Sequence, residues 1–239
     1  MGSLVAIVLL SCAVAAAPQT PLIAPPAPAL QVPEPPPPPS PGAARFVVVL
    51  DAAHGGDDAG GKLASQVEKD FTLGLSVRLR SLLAARGFSV ITTRESDVAV
   101  DANRRAEIAN RVNAQACLSL HASQAGAGVH LFASSLAPAQ ATRITAWKTT
   151  QAAWVTRSLA LAGVLDSALS HAGIAVTLGR TALPGIDSMA CPALAIEIAP
   201  DHAPDSKAIV ALDDPGYQAR VADALAAALL EWKTEGREP

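Results

Sequence analysis

The feature that most constrains the fold is an unbroken apolar run at residues 46–50, FVVVL, which ends in Asp51. Continuous β-branched runs are typical of central strands in parallel sheets, because helices cover both faces of such a strand. Further strand-like runs, separated by helical periodicity or by turns, lie at residues 88–93, 116–122, 128–133 and 191–199. The sequence therefore predicts an α/β fold: a single domain with a mostly parallel, twisted sheet covered by helices on both faces.

Helical periodicity is clearest between Glu68 and Arg86, where four apolar side chains at residues 71, 75, 79 and 82 share one face. Gly87 follows at the position where a helix commonly ends. We expect further helices at residues 101–113, 155–172 and 217–232.

The first 42 residues differ in composition from the rest and contain 12 of the 19 prolines. Residues 1–17 carry an apolar run too short to span a bilayer, which predicts a signal peptide or a lipoprotein-type signal. Residues 18–42 predict a proline-rich linker of the polyproline II type. Residues 43–239 are then the folded domain, which is long enough for one core.

The apolar start of the chain predicts an exported protein of the periplasm or cell envelope. Small residues at positions 13–17 offer cleavage sites for soluble export, whereas Cys12 offers a site for lipidation. Both routes remain open at this stage, and a membrane contact is expected only through lipidation at Cys12.

Charge and composition exclude some partners. After residue 42 the chain has 18 Lys and Arg against 20 Asp and Glu, which gives a net charge of −2. Proteins that bind nucleic acids need an excess of basic charge to meet the phosphates, so we expect no nucleic-acid partner.

Cys117 and Cys191 have no CxxC spacing, so they indicate neither a metal cluster nor a disulfide framework. Both lie in apolar, strand-like runs. We expect buried free thiols, with a disulfide as the alternative if the two strands are neighbours in an oxidising compartment.

Four polar residues stand at positions where functional groups gather in α/β proteins. His54, His121 and Glu197 follow or end predicted strands, and Glu68 opens the first helix. Two imidazoles and one carboxylate form a plausible three-ligand zinc set, and a second carboxylate could act as a base. Each residue also has an ordinary structural interpretation, such as a helix N-terminal acid for Glu68.

The chain resembles the zinc-dependent N-acetylmuramoyl-L-alanine amidases over residues 46–233. Four segments occur in the family's order: VVVLDAAHGG, then EKDFTLGLSVRLRSLLAARGFSVITTRESD, then RAEIANRVNAQACLSLHAS followed by GVHLFAS, and finally CPALAIEIA. The resemblance implies that His54, Glu68 and His121 bind one Zn²⁺ ion and that Glu197 is the catalytic carboxylate. Residues 43–239 would then be a zinc amidase catalytic domain.

The resemblance also implies an activity: hydrolysis of the amide bond between N-acetylmuramic acid and L-alanine in peptidoglycan. Peptidoglycan would be the partner, with an activator protein as a further candidate. Two alternatives are a non-catalytic envelope protein that binds peptidoglycan and a zinc peptidase that cuts within the stem peptide.

The chain departs from the family pattern on both sides of the candidate site. Ala52-Ala53 replaces the Pro-Gly that usually precedes the first histidine, Ser123 replaces a common Asn, and residues 198–202 replace a Gly-Phe pair after the catalytic Glu.

Other polar residues have less defined roles. We interpret His130, His171 and His202 as structural or solvated residues. Arg94 and Arg105 could bind a peptide carboxylate or anchor a buried acid. Residues 138–156 are a candidate gate.

Overall fold

The structure is a computed structural model that describes residues 46–140, 146–202 and 208–235. The chain divides into two units, Met1–Gly42 and Ala43–Pro239. The predicted signal at residues 1–17, Cys12 and the linker at 18–42 lie outside the described residues.

The second unit alternates strands and helices as the sequence predicts. The strands are β1 Val47–Ala52, β2 Ser89–Thr92, β3 Ala116–Ala122, β4 Val129–Ser134, β5 Val176–Thr181, β6 Ala193–Ile198, β7 Asp201–His202 and β8 Ile209–Val210. The α-helices are α1 Glu68–Ala85, α2 Ala102–Arg111, α3 Val155–His171, α4 Pro184–Asp187 and α5 Pro215–Glu235, and a 3₁₀ helix spans Trp147–Ala153. None of the helices described is both long and apolar enough to cross a bilayer.

The main sheet has six strands in the order β2-β1-β3-β6-β4-β5. All neighbouring strands are parallel except β4 and β6, which are antiparallel. Residues 123–128 join β3 to β4 and are too few for the crossover that a parallel return requires, so the chain reverses direction there. The prediction of a mostly parallel sheet is confirmed.

Alternate residues of the strands point to two different hydrophobic layers, as expected for a sheet covered on both faces. On one face Val48 and Leu50 pack with the long helices α1, α3 and α5. On the other face Val49 and small residues of β6 such as Ala193 and Ala195 pack with the short helices α2 and α4. The second layer matters for function, because the polar residues at the carboxyl ends of β1, β3 and β6 belong to it.

The prediction of free thiols is wrong. Cys117 and Cys191 form a disulfide with a Cα–Cα distance of 6.4 Å. The backbone N–H of Cys117 donates to the carbonyl of Pro192 at 2.9 Å, so β3 and the start of β6 lie side by side and bring the two thiols together. The expected burial is confirmed, since the cysteines are 1% and 0% exposed.

Candidate metal centre

Three of the four predicted site residues converge at the carboxyl edge of β1 and β3. One ligand atom from each of His54, Glu68 and His121 lies within 4.8 Å of the other two, and such a group could hold a metal ion. The Nε2 atom of His54 lies 3.1 Å from one carboxylate oxygen of Glu68, and the Nδ1 atom of His121 lies 3.0 Å from the other. Glu68 therefore bridges the two imidazoles. Their role as metal ligands stays a prediction.

The backbone of His54 has a φ of 64°, in the left-handed region that few residues other than glycine adopt. Two arginines stabilise this turn by donating hydrogen bonds to its backbone carbonyls. Arg94 donates to the carbonyls of Ala52 and Ala53 at 2.9 and 3.0 Å, and Arg105 donates to the carbonyl of His54 at 2.7 Å. These charge-assisted hydrogen bonds keep His54 in place after the strand has ended.

Glu68 is buried at the first turn of α1, where a negative charge is favoured by the helix dipole. Its carboxylate accepts hydrogen bonds from the backbone N–H groups of Gly61 at 2.8 Å and Ala122 at 3.2 Å. Burial, the largest influence, raises the pKa of this carboxyl group. The hydrogen bond from His121 and those from the two backbone N–H groups outweigh burial and lower the pKa to about 2. Glu68 is therefore a negatively charged candidate metal ligand at neutral pH.

The other nitrogen of each imidazole also has a partner. Asp58 Oδ2 lies 2.8 Å from Nδ1 of His54. Ser119 Oγ lies 3.4 Å from Nε2 of His121 and donates to Asp51 Oδ2 at 2.6 Å. Partners of this kind set the tautomer of a metal-binding histidine and orient its ring. They leave Nε2 of His54 and Nδ1 of His121 to face the common centre.

Asp51 links the centre to the interior of the domain. Its carboxylate accepts hydrogen bonds from Thr93, Arg105 and Ser119, all of them buried. Sequence reasoning did not select Asp51, Asp58 or Ser119. The sequence did contain a signal for Asp51, which directly follows the apolar run at residues 46–50. A carboxylate at the end of a buried strand needs polar partners.

The backbone at Gly60 and Gly61 packs directly against the side chains of His54 and Glu68, which leaves little room for a side chain at either position. A Cβ atom at Gly60 would lie 2.6 Å from His54 Cδ2 and 2.8 Å from Glu68 Oε2, and one at Gly61 would lie 3.2 Å from Glu68 Oε2. Two imidazoles and an ionised carboxylate with restricted orientations fit a divalent transition-metal ion.

Glu197 lies beside this cluster but is not one of its three residues. It pairs in register with His121 of the parallel neighbour β3 and with His130 of the antiparallel neighbour β4. Its side chain is 34% exposed, and its Oε1 lies 3.1 Å from Nδ1 of His130. A carboxylate next to the cluster and open to solvent can take up and release a proton.

A cavity of about 400 Å³ opens next to His54 and His121. One wall is apolar and is formed by Leu183, Ile186 and Met189, from α4 and the residues around it. A bound molecule could therefore contact both the cluster and an apolar surface.

The remaining candidates have structural contacts. Arg105 forms an ion pair with buried Asp51, and Arg94 donates to backbone carbonyls, so both anchor the loop in this structure. The candidate gate at residues 138–156 is described except for 141–145. Gln151 of its 3₁₀ helix donates to the carbonyl of Ile186 in α4 at 3.4 Å and to those of Met189 and Cys191, which follow α4, at 2.9 and 3.0 Å.

Comparisons with known proteins identify the family of this chain and proteins of similar fold. A profile of the N-acetylmuramoyl-L-alanine amidase family matches residues 48–231. The germination-specific N-acetylmuramoyl-L-alanine amidase of Bacillus subtilis is 34% identical over 31% of this chain and 38% of its own length. N-acetylmuramoyl-L-alanine amidase AmiA of Escherichia coli is 37% identical over 37% of this chain and 32% of its own length. The chain thus spans about a third of the length of these curated relatives.

Solved structures show the same fold. The catalytic domain of CwlV, an N-acetylmuramoyl-L-alanine amidase from Bacillus (Paenibacillus) polymyxa var. colistinus, superposes with a TM-score of 0.61 at 22% identity. The match covers 79% of this chain and 98% of that domain.

Fold and site together define an α/β domain with a His–Glu–His candidate metal centre at the carboxyl edge of a mostly parallel sheet. The family match covers most of the chain, and the chain belongs to the N-acetylmuramoyl-L-alanine amidase family.

Proposed function

We propose that this protein hydrolyses the amide bond between N-acetylmuramic acid and L-alanine in peptidoglycan, with one bound Zn²⁺ ion. The observation that carries the proposal is the convergence of His54, Glu68 and His121, with Glu197 next to His121 in the sheet register. Two imidazoles and one carboxylate, with one position left for water or substrate, are a ligand set common in catalytic zinc sites.

His54, Glu68 and His121 would hold the zinc ion, which would polarise the carbonyl of the substrate and lower the pKa of its bound water towards about 7. The residues of the chain supply the rest of the chemistry. Glu197 accepts a proton from the attacking water and returns it to the departing amine of L-alanine. Glu68 keeps its negative charge throughout, because its pKa of about 2 lies far below neutral pH.

The proposal extends to the rest of the chain. Residues 1–17 would direct export to the periplasm or cell envelope, either as a cleaved signal peptide or with lipidation at Cys12. Residues 18–42 would be the linker and residues 43–239 the catalytic domain. Peptidoglycan is the proposed partner.

The test is mass spectrometry of purified peptidoglycan incubated with the full chain, with added zinc and, separately, with a chelator. Zinc-dependent release of complete stem peptides that begin at L-alanine supports the proposal. Shortened stem peptides would favour the zinc peptidase, for which the same cluster would serve.

A second measurement separates the remaining outcomes. Zinc bound at one equivalent without any cleavage would favour a peptidoglycan-binding role or a need for an activator protein. A protein that binds no zinc would overturn the proposal.

A further inference from the structure

The proposed catalytic carboxylate lies between two histidines in one row across the sheet. The antiparallel register pairs His130 of β4 with Glu197 of β6, and the parallel register pairs Glu197 with His121 of β3. Side chains that pair in register point to the same face of a sheet. His121 belongs to the candidate metal centre, whereas His130 stands on the opposite side of Glu197.

His130 contacts the carboxylate directly. Its Nδ1 atom lies 3.1 Å from Oε1 of Glu197, and its side chain is only 17% exposed. Among the residues that the structure describes, it is the one hydrogen-bond partner of this carboxylate. A partly exposed glutamate side chain has several rotatable bonds, so the loss of this hydrogen bond would let the carboxylate sample more orientations.

The imidazole of His130 is itself restricted. Gly126 has φ of 90°, and a Cβ atom there would lie 2.2 Å from Cε1 of the His130 ring. The backbone of the loop between β3 and β4 therefore packs closely against this ring. Phe132 also meets the ring edge to face, with centroids 6.3 Å apart. These contacts aim Nδ1 at Glu197.

We infer that His130 is a positioning residue for Glu197. Its Nδ1–H holds Oε1, which leaves Oε2 of the same carboxylate to receive the proton of the attacking water. The inference rests on the proposed function, since it assigns a role in that hydrolysis. It reverses the interpretation of His130 as a structural or solvated residue.

The test compares the zinc-loaded full chain with three variants on a soluble muramyl peptide. His130→Ala removes the contact. His130→Asn keeps an N–H donor near the place of Nδ1, whereas His130→Gln moves the donor towards the place of Nε2. We expect kcat to fall about 10-fold in the Ala and Gln variants and to recover most of its value in Asn, with KM and zinc affinity unchanged.

His171→Asn is the matched control, because His171 is an exposed histidine at the end of α3. It should behave as wild type. Gly126→Ala is a second way to disturb the contact without changing His130, and it should lower kcat in the same way. Thermal unfolding of every variant separates a change in positioning from a loss of fold.

The outcomes distinguish the inference from the function on which it rests. A wild-type protein that releases stem peptides, together with a folded His130→Ala variant of equal kcat, overturns the inference alone. An equal loss in the Asn and Gln variants also counts against it. A wild-type protein that binds no zinc, or that releases only shortened stem peptides, overturns the proposed function and the inference with it.

The contact has a readout that does not depend on activity. Long-range ¹H–¹⁵N correlation spectra report which ring nitrogen of a histidine carries the proton. We expect the Nδ1–H tautomer for His130 and a shift of its ring resonances in Glu197→Gln, with none for His171. Unchanged His130 resonances would contradict the contact.

Discussion

At the scale of single residues, each candidate ligand is held by a second polar group. His54 has Asp58, His121 has Ser119, and Glu68 has two backbone N–H groups. The result is a cluster whose donor atoms already face one another. Such preorganisation favours metal binding, because fewer side chains must be ordered when the ion enters.

Substitutions at Glu197 and at the three cluster residues should have different effects, one on kcat and the other on metal binding. Glu197→Gln keeps a side chain of the same shape but removes the base, so we expect kcat to fall by about 10²-fold or more while zinc content stays at one equivalent. His54→Ala should instead lose the metal. Kinetics combined with metal analysis checks both. Full activity of Glu197→Gln would refute the role assigned to this residue.

Ser119 offers a test of the polar chain behind His121. Ser119→Ala removes the hydroxyl between Nε2 of His121 and the buried carboxylate of Asp51. We expect zinc affinity to fall about 10-fold, because the ring is no longer oriented through Nε2. A competition titration with a chromophoric chelator measures the change. Ser170→Ala, at an exposed serine of α3, is the control and should leave affinity unchanged.

At the scale of elements, the disulfide joins two central neighbours of the sheet, β3 and the residues before β6. These strands carry His121 and Glu197. Cross-links over long loops lower the entropy of the unfolded chain, and the sequence separation here is 74 residues.

Replacing both Cys117 and Cys191 with Ala should therefore lower the free energy of unfolding by about 4 kcal/mol. Urea unfolding of the variant and of the oxidised wild type measures the difference. Reduction of the wild type should reproduce most of the loss, and the variant should not respond to reductant. Equal stability of all forms would show that the disulfide contributes nothing.

The contact between the 3₁₀ helix and α4 depends on Gln151, which is fully buried. Its side chain donates to backbone carbonyls near α4 and accepts from Ser158 at 2.6 Å. Gln151→Leu would leave these buried groups without partners, so we expect a loss of about 3 kcal/mol in the free energy of unfolding.

The same substitution tests the candidate gate at residues 138–156. Because α4 lines the cavity beside the cluster, loosening it should raise KM for a muramyl peptide more than it lowers kcat. Thr149→Ala, at an exposed neighbour on the same 3₁₀ helix, is the control for both measurements. A Gln151→Leu variant that is destabilised but keeps its KM would show that the 3₁₀ helix does not affect substrate binding.

At the scale of the whole molecule, the buried core of the described residues lies within the second unit, Ala43–Pro239. Because the sequence predicts a proline-rich linker at residues 18–42, we expect a protein limited to residues 43–239 to unfold at the same temperature as the full chain and to bind the same amount of zinc. Calorimetry and metal analysis check this. A protein that begins at residue 53 is the control, because it lacks the central strand β1 and should not fold. A lower midpoint for residues 43–239 would show that the first 42 residues contribute to stability.

The sequence predicted the four longer α-helices, α1, α2, α3 and α5, and five of the eight strands to within a few residues, because buried strands and amphipathic helices have distinct apolar periods. Strand β5 was not predicted. It lies at the edge of the sheet and is largely exposed, so its residues, VTLGRT, carry little apolar pattern. The short helix α4 was also missed, since four residues are too few to show a period.

The sequence by itself determined the alternation of strands and helices, because this alternation follows from local apolar patterns. It also determined the choice of His54, Glu68, His121 and Glu197 as candidates. Only the tertiary structure decided which of these residues meet. The register of β3, β6 and β4 places His121, Glu197 and His130 in one row, and the pairing of β3 with β6 brings the cysteines together. These contacts join residues 67 to 76 positions apart, and no short-range pattern in a sequence specifies distances between segments that far apart along the chain.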